Sequence, residues 1–257
     1  MTLGVCILIV ARGSDYLLVD ISNSYAKFAF ASTRRVLAPT RVATSELSSG
    51  VVARFLGKRN VGKMVVSSVV PAKNSAILRA AGKVNVLWLD WKLKLGVEID
   101  YPNRQSIGAD RLANAAAVTA LYGFPAIVVD FGTAVTFDIV SEHQAYIGGV
   151  IAPGLEAMTN FLYRRTALLP KLSLKEPRRA IGKSTVQAML SGAVFGYRGL
   201  VREILAQVRA EQFPHKKVHV VATGGYSRLI ARRLPEVNVV HPNLTLEGLR
   251  IVANLND

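Results

Sequence analysis

Short apolar runs alternate along this chain with longer stretches in which apolar residues recur every third or fourth position. The short runs predict strands at 16–21, 27–31, 34–37, 63–67 and 84–89, and the periodic stretches predict helices at 45–56, 73–81 and 110–122. Gly123-Phe124-Pro125 then interrupts the pattern, because proline and the residue before it resist helix continuation. Beyond it, 126–131, 133–140 and 145–151 read as three consecutive strands, the last two joined by the polar turn Ser141-Glu142-His143-Gln144. Helices at 155–163, 185–209, 226–233 and 246–255, a strand at 218–222 and a basic, proline-bearing connection at 168–183 complete the chain. Strands and helices in alternation predict an α/β protein.

The two halves share a local order. Leu18-Val19-Asp20-Ile21-Ser22-Asn23-Ser24 and Val128-Val129-Asp130-Phe131-Gly132-Thr133-Ala134 both run apolar, apolar, Asp, apolar, small, polar, small. Each stands at the first strand of its half, which predicts an internal duplication with lobes at 16–124 and 125–257. Residues 1–15 are expected to be an extension, disordered or upstream of the native start. The apolar run at 5–11 is far shorter than the roughly 20 residues that cross a bilayer, and it lacks the flanks of a secretory leader.

Composition narrows the picture further. With 51% hydrophobic and 19% charged residues the chain is not a disordered polyelectrolyte. Cys6 is the sole cysteine, and His143, His215, His219 and His241 show no zinc-ligand spacing, so a reducing, cytoplasmic setting is expected. Thirty-two Lys and Arg against 17 Asp and Glu give a net charge of +15, which biases the surface toward polyanions. The basic residues are scattered in pairs such as Arg34-Arg35, Arg164-Arg165 and Lys216-Lys217, with no nucleic-acid-binding signature to organise them. Non-specific polyanion binding is therefore open, and specific nucleic-acid recognition is not expected.

The candidate chemistry centres on the repeated aspartates. Asp20 and Asp130 each end an apolar strand and are followed by small residues, which lets backbone N–H groups turn toward an anion. Two such turns face to face would grip a polyphosphate, with the carboxylates holding a metal or its waters. Taken singly, either aspartate serves equally well as a strand-end turn former. Thr223-Gly224-Gly225 is a third open backbone corner between a strand and a helix, and most such glycines are steric. Gly108-Ala109-Asp110-Arg111 opens a helix, where Asp110 is either a first-turn residue favoured by the dipole or a general base beside a cationic anchor. Gly182-Lys183-Ser184-Thr185 imitates the end of a P-loop, but Pro177 stands where the loop needs glycine.

Six motifs in order resemble the type III pantothenate kinases, a branch of the acetate and sugar kinase, heat-shock 70 and actin superfamily. They are Asp20-x-x-Asn23-Ser24-x-x-Lys27; Tyr101-Pro102 with Gly108-x-Asp110-Arg111-x-x-Asn114; Asp130-Phe131-Gly132-Thr133-Ala134-x-Thr136-x-Asp138; Gly148-Gly149-x-Ile151-x-Pro153-Gly154; Ser184-Thr185; and Thr223-Gly224-Gly225. The resemblance implies a two-lobed, duplicated actin-like fold of the ribonuclease H type, with mixed sheets flanked by helices. It implies ATP-dependent phosphorylation of pantothenate to 4'-phosphopantothenate, the first step of coenzyme A synthesis, by a homodimer. Asp110 would be the base, and Tyr101, Gly108, Ala109, Arg111 and Thr185 would hold pantothenate. Asp20-Ile21-Ser22-Asn23-Ser24-Tyr25-Ala26-Lys27, Thr133, Gly224 and Gly225 would contact ATP. Asp130 would bind a potassium or ammonium ion, and Asp20 would meet Mg2+ through water. Ser22 stands where the family carries glycine, so its Cβ would push the γ-phosphate outward or require a different backbone. An accessory or regulatory relative of weak activity, or another phosphotransferase such as a sugar kinase or polyphosphate-cleaving enzyme, stays open beside the kinase.

Overall fold

The protein is described by a computed structural model over residues 14–257; of the expected extension, all but Ser14 and Asp15 lies outside the described residues. The chain builds β1 (Ser14–Ile21), β2 (Tyr25–Ala31), β3 (Thr40–Ala43), α1 (Ser49–Leu56), β4 (Val61–Ser68), α2 (Pro71–Ala81) and β5 (Asn85–Trp88). There follow β6 (Glu98–Ile99), α3 (Ala109–Tyr122), β7 (Ala126–Phe131), β8 (Ala134–Val140), β9 (Ala145–Pro153), α4 (Leu155–Arg165) and α5 (Thr185–Gln212). The last elements are β10 (His219–Thr223), α6 (Ser227–Ile230), β11 (Val239–Val240) and α7 (Leu244–Leu255).

Among the described residues the strands form two mixed sheets, ordered β3-β2-β1-β4-β5 and β11-β10-β7-β8-β9-β6. The first order recurs in the second as β9-β8-β7-β10-β11. In each sheet the founding strand pairs antiparallel with its successor and parallel with the strand beyond a crossover. The duplication expected from the Asp20 and Asp130 segments is thus a duplication of topology.

Side-chain alternation along a strand assigns the faces. On β1, Leu17, Val19 and Ile21 pack against the apolar sides of α1 and α2, while Tyr16 and Leu18 turn to the core between the sheets. On β7, Ile127, Val129 and Phe131 face the layer of α5 and α6, and Ala126 and Val128 face the intersheet core. That central core holds α3 and α7, so the layers run helix, sheet, helix pair, sheet, helix. A helix covered on several sides must be slim, and α3 supplies Ala113, Ala115, Ala116 and Ala117, all buried. The pair approaches so closely at Gly248 of α7 that a Cβ there would overlap the Ala113 carbonyl.

Elements also cross between the halves. β6 extends the second sheet by pairing with β9. The C-terminal α7 docks on the first sheet: Tyr16 Oη donates to Asn254 Oδ1 (2.9 Å), and Arg250 Nη1 and Asn254 Nδ2 both donate to the Thr33 carbonyl (2.6 and 2.7 Å). Asp257 closes the end as the ion-pair partner of Lys63.

Several expected boundaries shift for local reasons. The strand expected at 34–37 is reduced to a single bridge between Val36 and Ala31, because Ser32 Oγ accepts from the backbone N–H of both Arg34 and Arg35 and holds them in a turn. The edge strand forms instead at β3. The helix expected from residue 45 starts at Ser49, where the Ser48 hydroxyl caps the Val51 N–H, and 44–46 is a separate 3-10 turn. The connection at 168–183 is irregular, as expected, and is fixed by the bidentate pair of Arg198 with Glu176 (2.9 and 2.6 Å). No helix among the described residues is long and apolar enough to cross a membrane.

Gly248→Ala should destabilise the protein by about 2 kcal/mol or more, since overpacking against a backbone carbonyl leaves neither helix free to yield. Urea unfolding monitored by circular dichroism would register it as a lowered midpoint.

Candidate active site

The face of each sheet that is apolar in its middle becomes polar at one end. On the first sheet Asp20 stands in register with Lys27 of β2 and Ser67 of β4. On the second, Asp130 stands in register with Thr136 of β8 and Thr223 of β10, with Asp138 two residues further along β8 on the same face. These are the carboxyl ends of the parallel strands, the usual place for a ligand crevice in an α/β sheet. The N-terminus of α3 enters the crevice between the sheets and brings Asp110, Arg111 and Asn114 with it.

The side chains are tied into a network. Lys27 Nζ lies 3.5 Å from Asp20 Oδ2, and Asp20 is 2% exposed. Arg111 Nε donates to Asp138 Oδ1 (2.6 Å) and its Nη2 to the Phe137 carbonyl (3.4 Å). The guanidinium lies over the Tyr146 ring at 5.6 Å, and Tyr101 meets Tyr146 edge-on at 6.2 Å. Asn114 Nδ2 donates to Asp138 Oδ2 (3.3 Å) and reaches Asp130 Oδ2 at 3.5 Å, while its Oδ1 accepts from Thr245 of α7 (2.9 Å). Gly149 is required here, since a Cβ would overlap both the Phe137 carbonyl and Arg111 Nη2.

This arrangement sets the proton affinities. Asp110 is pushed up to about 7, first by burial and then by the charges of Asp20, Asp130 and Asp138, against the N–H of Arg111 that donates to its Oδ1 (2.9 Å). Burial also raises Asp138 to about 6 despite Arg111, and raises Asp130 despite Lys27. A carboxyl poised near neutrality is the form a general base takes.

Two hairpin turns close the crevice. The turn after β1 and the turn after β7 meet through Ser24 Oγ and Thr133 Oγ1, 2.8 Å apart. Ser22 has a negative φ, its N–H donates to the Tyr25 carbonyl (3.1 Å) and its own carbonyl accepts from Thr44 Oγ1 (2.7 Å). A side chain is thus accommodated at position 22 without left-handed strain. Gly224 has φ +89°, and its backbone lies so close to Asp130 that a Cβ would overlap the carboxylate, so only glycine serves there.

The structure brings most of the expected residues to this crevice. Asp20, Ser22, Ser24, Lys27, Tyr101, Gly108, Ala109, Asp110, Arg111, Asp130, Thr133 and Gly224 line or frame it through the registers and contacts above. Ile21 and Ala26 turn their side chains to the outer core, and their backbones are engaged in the first sheet, the Ile21 carbonyl accepting from the Val69 N–H (3.0 Å). Asn23, Tyr25 and Gly225 are exposed at the turns. Thr185 opens α5, in the layer beyond the second sheet, and is exposed. Asn114 and Asp138 had no expected role beyond motif membership, yet they hold the network together. Asn114 is one helical turn from Asp110, and Asp138 is a lone charge inside the apolar strand Ala-Val-Thr-Phe-Asp-Ile-Val; both are signals the sequence offers. Ser67 and Tyr146 carry no such signal, and Thr223 carries only that of the Thr223-Gly224-Gly225 corner. Surface cavities of about 470 and 660 Å³, around 231–240 and around 209–218, hold none of these groups.

The family model for type III pantothenate kinase matches residues 16–207. A type III pantothenate kinase of Akkermansia muciniphila is 49% identical, over 94% of this chain and 99% of its own. One from Methylacidiphilum infernorum is 41% identical, over 93% and 88%. Among solved structures, a Campylobacter jejuni protein described as a Baf family transcriptional activator superposes with a TM-score of 0.57 at 21% identity, covering 93% of this chain and 98% of its own. That last likeness concerns the fold alone, an α/β architecture of mixed sheets flanked by helices, as the resemblance implied.

The raised proton affinity of Asp110 has a stability consequence. An acid whose folded pKa is raised stabilises the fold when protonated, and that contribution is lost as pH climbs through about 7. Asp110→Asn should therefore be more stable than the parent at pH 8 by roughly 2–4 kcal/mol, the gap closing toward pH 5. Urea unfolding of both proteins across this pH range, without added cations, measures it.

Proposed function

The chain belongs to the type III pantothenate kinases, enzymes that phosphorylate pantothenate with ATP in coenzyme A synthesis, and we propose that its crevice performs that transfer with Asp110 as general base. The supporting observation is the placement of Asp110 at the N-terminus of α3, among three other carboxylates that raise it to about 7. In that state Asp110 accepts the proton of the primary hydroxyl of pantothenate. The hydroxyl oxygen bonds to the γ-phosphorus, the bond from that phosphorus to the β–γ bridging oxygen breaks, and ADP leaves. Most of the acceleration comes from alignment and from charge already in place.

The remaining residues take roles suited to their positions. The facing turns at Ser22–Ser24 and Thr133, with Gly224 and Gly225, offer backbone N–H groups and hydroxyls to the nucleotide. Lys27 meets phosphoryl charge. Tyr101, Gly108, Ala109 and the Nη end of Arg111 frame pantothenate, with Arg111 held at the right angle by Asp138. The carboxylate excess and the unpartnered buried Asp20 Oδ1 fit a hydrated Mg2+ near Asp20. Asp130, where Gly224 leaves room for no side chain, fits a potassium or ammonium ion. When bound, these cations neutralise phosphate and carboxylate charge.

A homodimer is the further expectation. Met158, Phe161, Leu162 and Tyr163 of α4, Leu168 and Ile181 of the connection, and Val186 and Phe195 of α5 are all exposed. An apolar surface of this kind calls for a partner, and Thr185 lies within it, so the pantothenate pocket adjoins the subunit contact. The same reading assigns the enzyme to the cytoplasm.

ADP release with ATP, Mg2+ and K+ should require pantothenate, and Asp110→Asn should lower kcat by roughly 10²- to 10⁴-fold. In the parent enzyme kcat/KM should fall below about pH 7, where Asp110 takes a proton. Turnover undiminished in the variant would remove Asp110 from the base's role. Phe161→Glu should shift the sedimenting species to half the parent mass and raise the KM for pantothenate, whereas an unchanged mass would place the subunit contact elsewhere.

A further inference from the structure

Buried hydroxyls almost always find a hydrogen-bond partner, and one left without costs about 1–3 kcal/mol. Ser67 Oγ and Thr223 Oγ1 have none among the described residues, although their residues are only 0% and 1% exposed. The two positions are equivalent under the duplication. Ser67 is the register partner of Asp20 on the parallel neighbour of β1, and Thr223 is the register partner of Asp130 on the parallel neighbour of β7. The same defect, built twice beside the same residue type, is the mark of a group that arrives from outside the chain. In the first lobe the point is sharper, because Asp20 Oδ1 is itself without a partner and yet Ser67 does not donate to it.

We propose that Ser67 and Thr223 are positioning residues for two different cations: Ser67 shares the water shell of the divalent ion with Asp20, and Thr223 shares the monovalent ion with Asp130. This rests on the cation assignments above and adds a second protein oxygen to each. The surroundings explain the division. Lys27 occupies one side of the Asp20 carboxylate at 3.5 Å, leaving a single oxygen and a hydroxyl, a pair suited to waters of a strongly hydrated ion that gives them up reluctantly. Asp130 is partly exposed, forms no ion pair among the described residues and is touched by Asn114 only at 3.5 Å, so its carboxylate is open to direct contact with a weakly hydrated ion that readily exchanges water for protein oxygens.

The test titrates each cation separately on the full chain. The thermal midpoint is followed against K+ without substrates, and ADP affinity is followed by calorimetry against Mg2+, in Ser67→Ala, Ser67→Thr, Thr223→Val, Thr223→Ser and Asp130→Asn. Thr223→Val is expected to raise the K+ half-point about tenfold or more and leave the Mg2+ half-point in place, and Ser67→Ala to do the reverse. Thr223→Ser and Ser67→Thr, which keep the hydroxyl, should behave as the parent. Parental half-points in Thr223→Val and Ser67→Ala overturn the proposal, as does an equal shift of both cations in either variant or a loss in Thr223→Ser matching that in Thr223→Val. If Asp130→Asn abolishes the K+ response while Thr223→Val keeps it, the cation reading stands and this inference fails. If Thr223→Val abolishes it while Asp130→Asn keeps it, the assignment of Asp130 fails and Thr223 stands. A parent midpoint indifferent to K+ overturns both.

Discussion

Four aspartates converge where the two sheets open, and among the described residues of their network only Lys27 and Arg111 oppose them. Everything nearby can be understood as a means of tolerating that excess. Arg111 is spent on Asp138, the most deeply buried of the four, and Asn114 bridges Asp138 and Asp130 with a neutral donor where a third cation would have stabilised a closed, inert cluster. The positive end of the α3 dipole supports Asp110 without neutralising it. The leftover charge raises one carboxyl toward neutral pH and gives cations a reason to bind. A +15 chain around a negative crevice lets anionic substrates approach the molecule.

The duplicated topology makes such a convergence possible. A single sheet places one aspartate at its carboxyl end; two copies facing one another place two, with their turns close enough for Ser24 and Thr133 to bond. What the duplication does not supply is Asp110, which comes from α3 between the sheets. Alanine at four buried positions lets α3 lie there, and the glycine of α7 lets a second helix lie against it. Asp110 therefore belongs to neither sheet, and its position is set by both.

Much of this was legible along the chain. Asp20 and Asp130 could be read because each ends an apolar strand before small residues, and the order of motifs located Asp110 at a helix start. Long-range pairing was less accessible. β6 and β11 are two residues each, too short for any periodicity, and β3 is an edge strand whose place depends on how Ser32 folds the chain back. Arg111 could be read as a cation for substrate, but the commitment of its Nε to Asp138 depends on a strand 27 residues away. Ser67 looks like an ordinary strand residue in the sequence and Thr223 like the start of a glycine corner; only register and burial set their hydroxyls apart. Ser22 shows the converse case, a departure that looks disruptive in one dimension and fits a backbone of ordinary φ in three.

The docking of α7 on the first sheet bears on how the protein is made. Synthesis delivers β1 to β5 first, yet Tyr16, Leu18 and Val65 face a core whose lid includes Leu246, Leu249 and Val252 of α7, which follows every other described element. While the ribosome is still extending the second half, the first lobe exposes that apolar face and must be shielded or remain loosely ordered. Emergence of α7, not completion of the first sheet, is then the event that lets the fold close. A nascent chain halted before α7 would carry the two hairpin turns and Asp110, but lack the helix whose Thr245 holds Asn114 between Asp130 and Asp138.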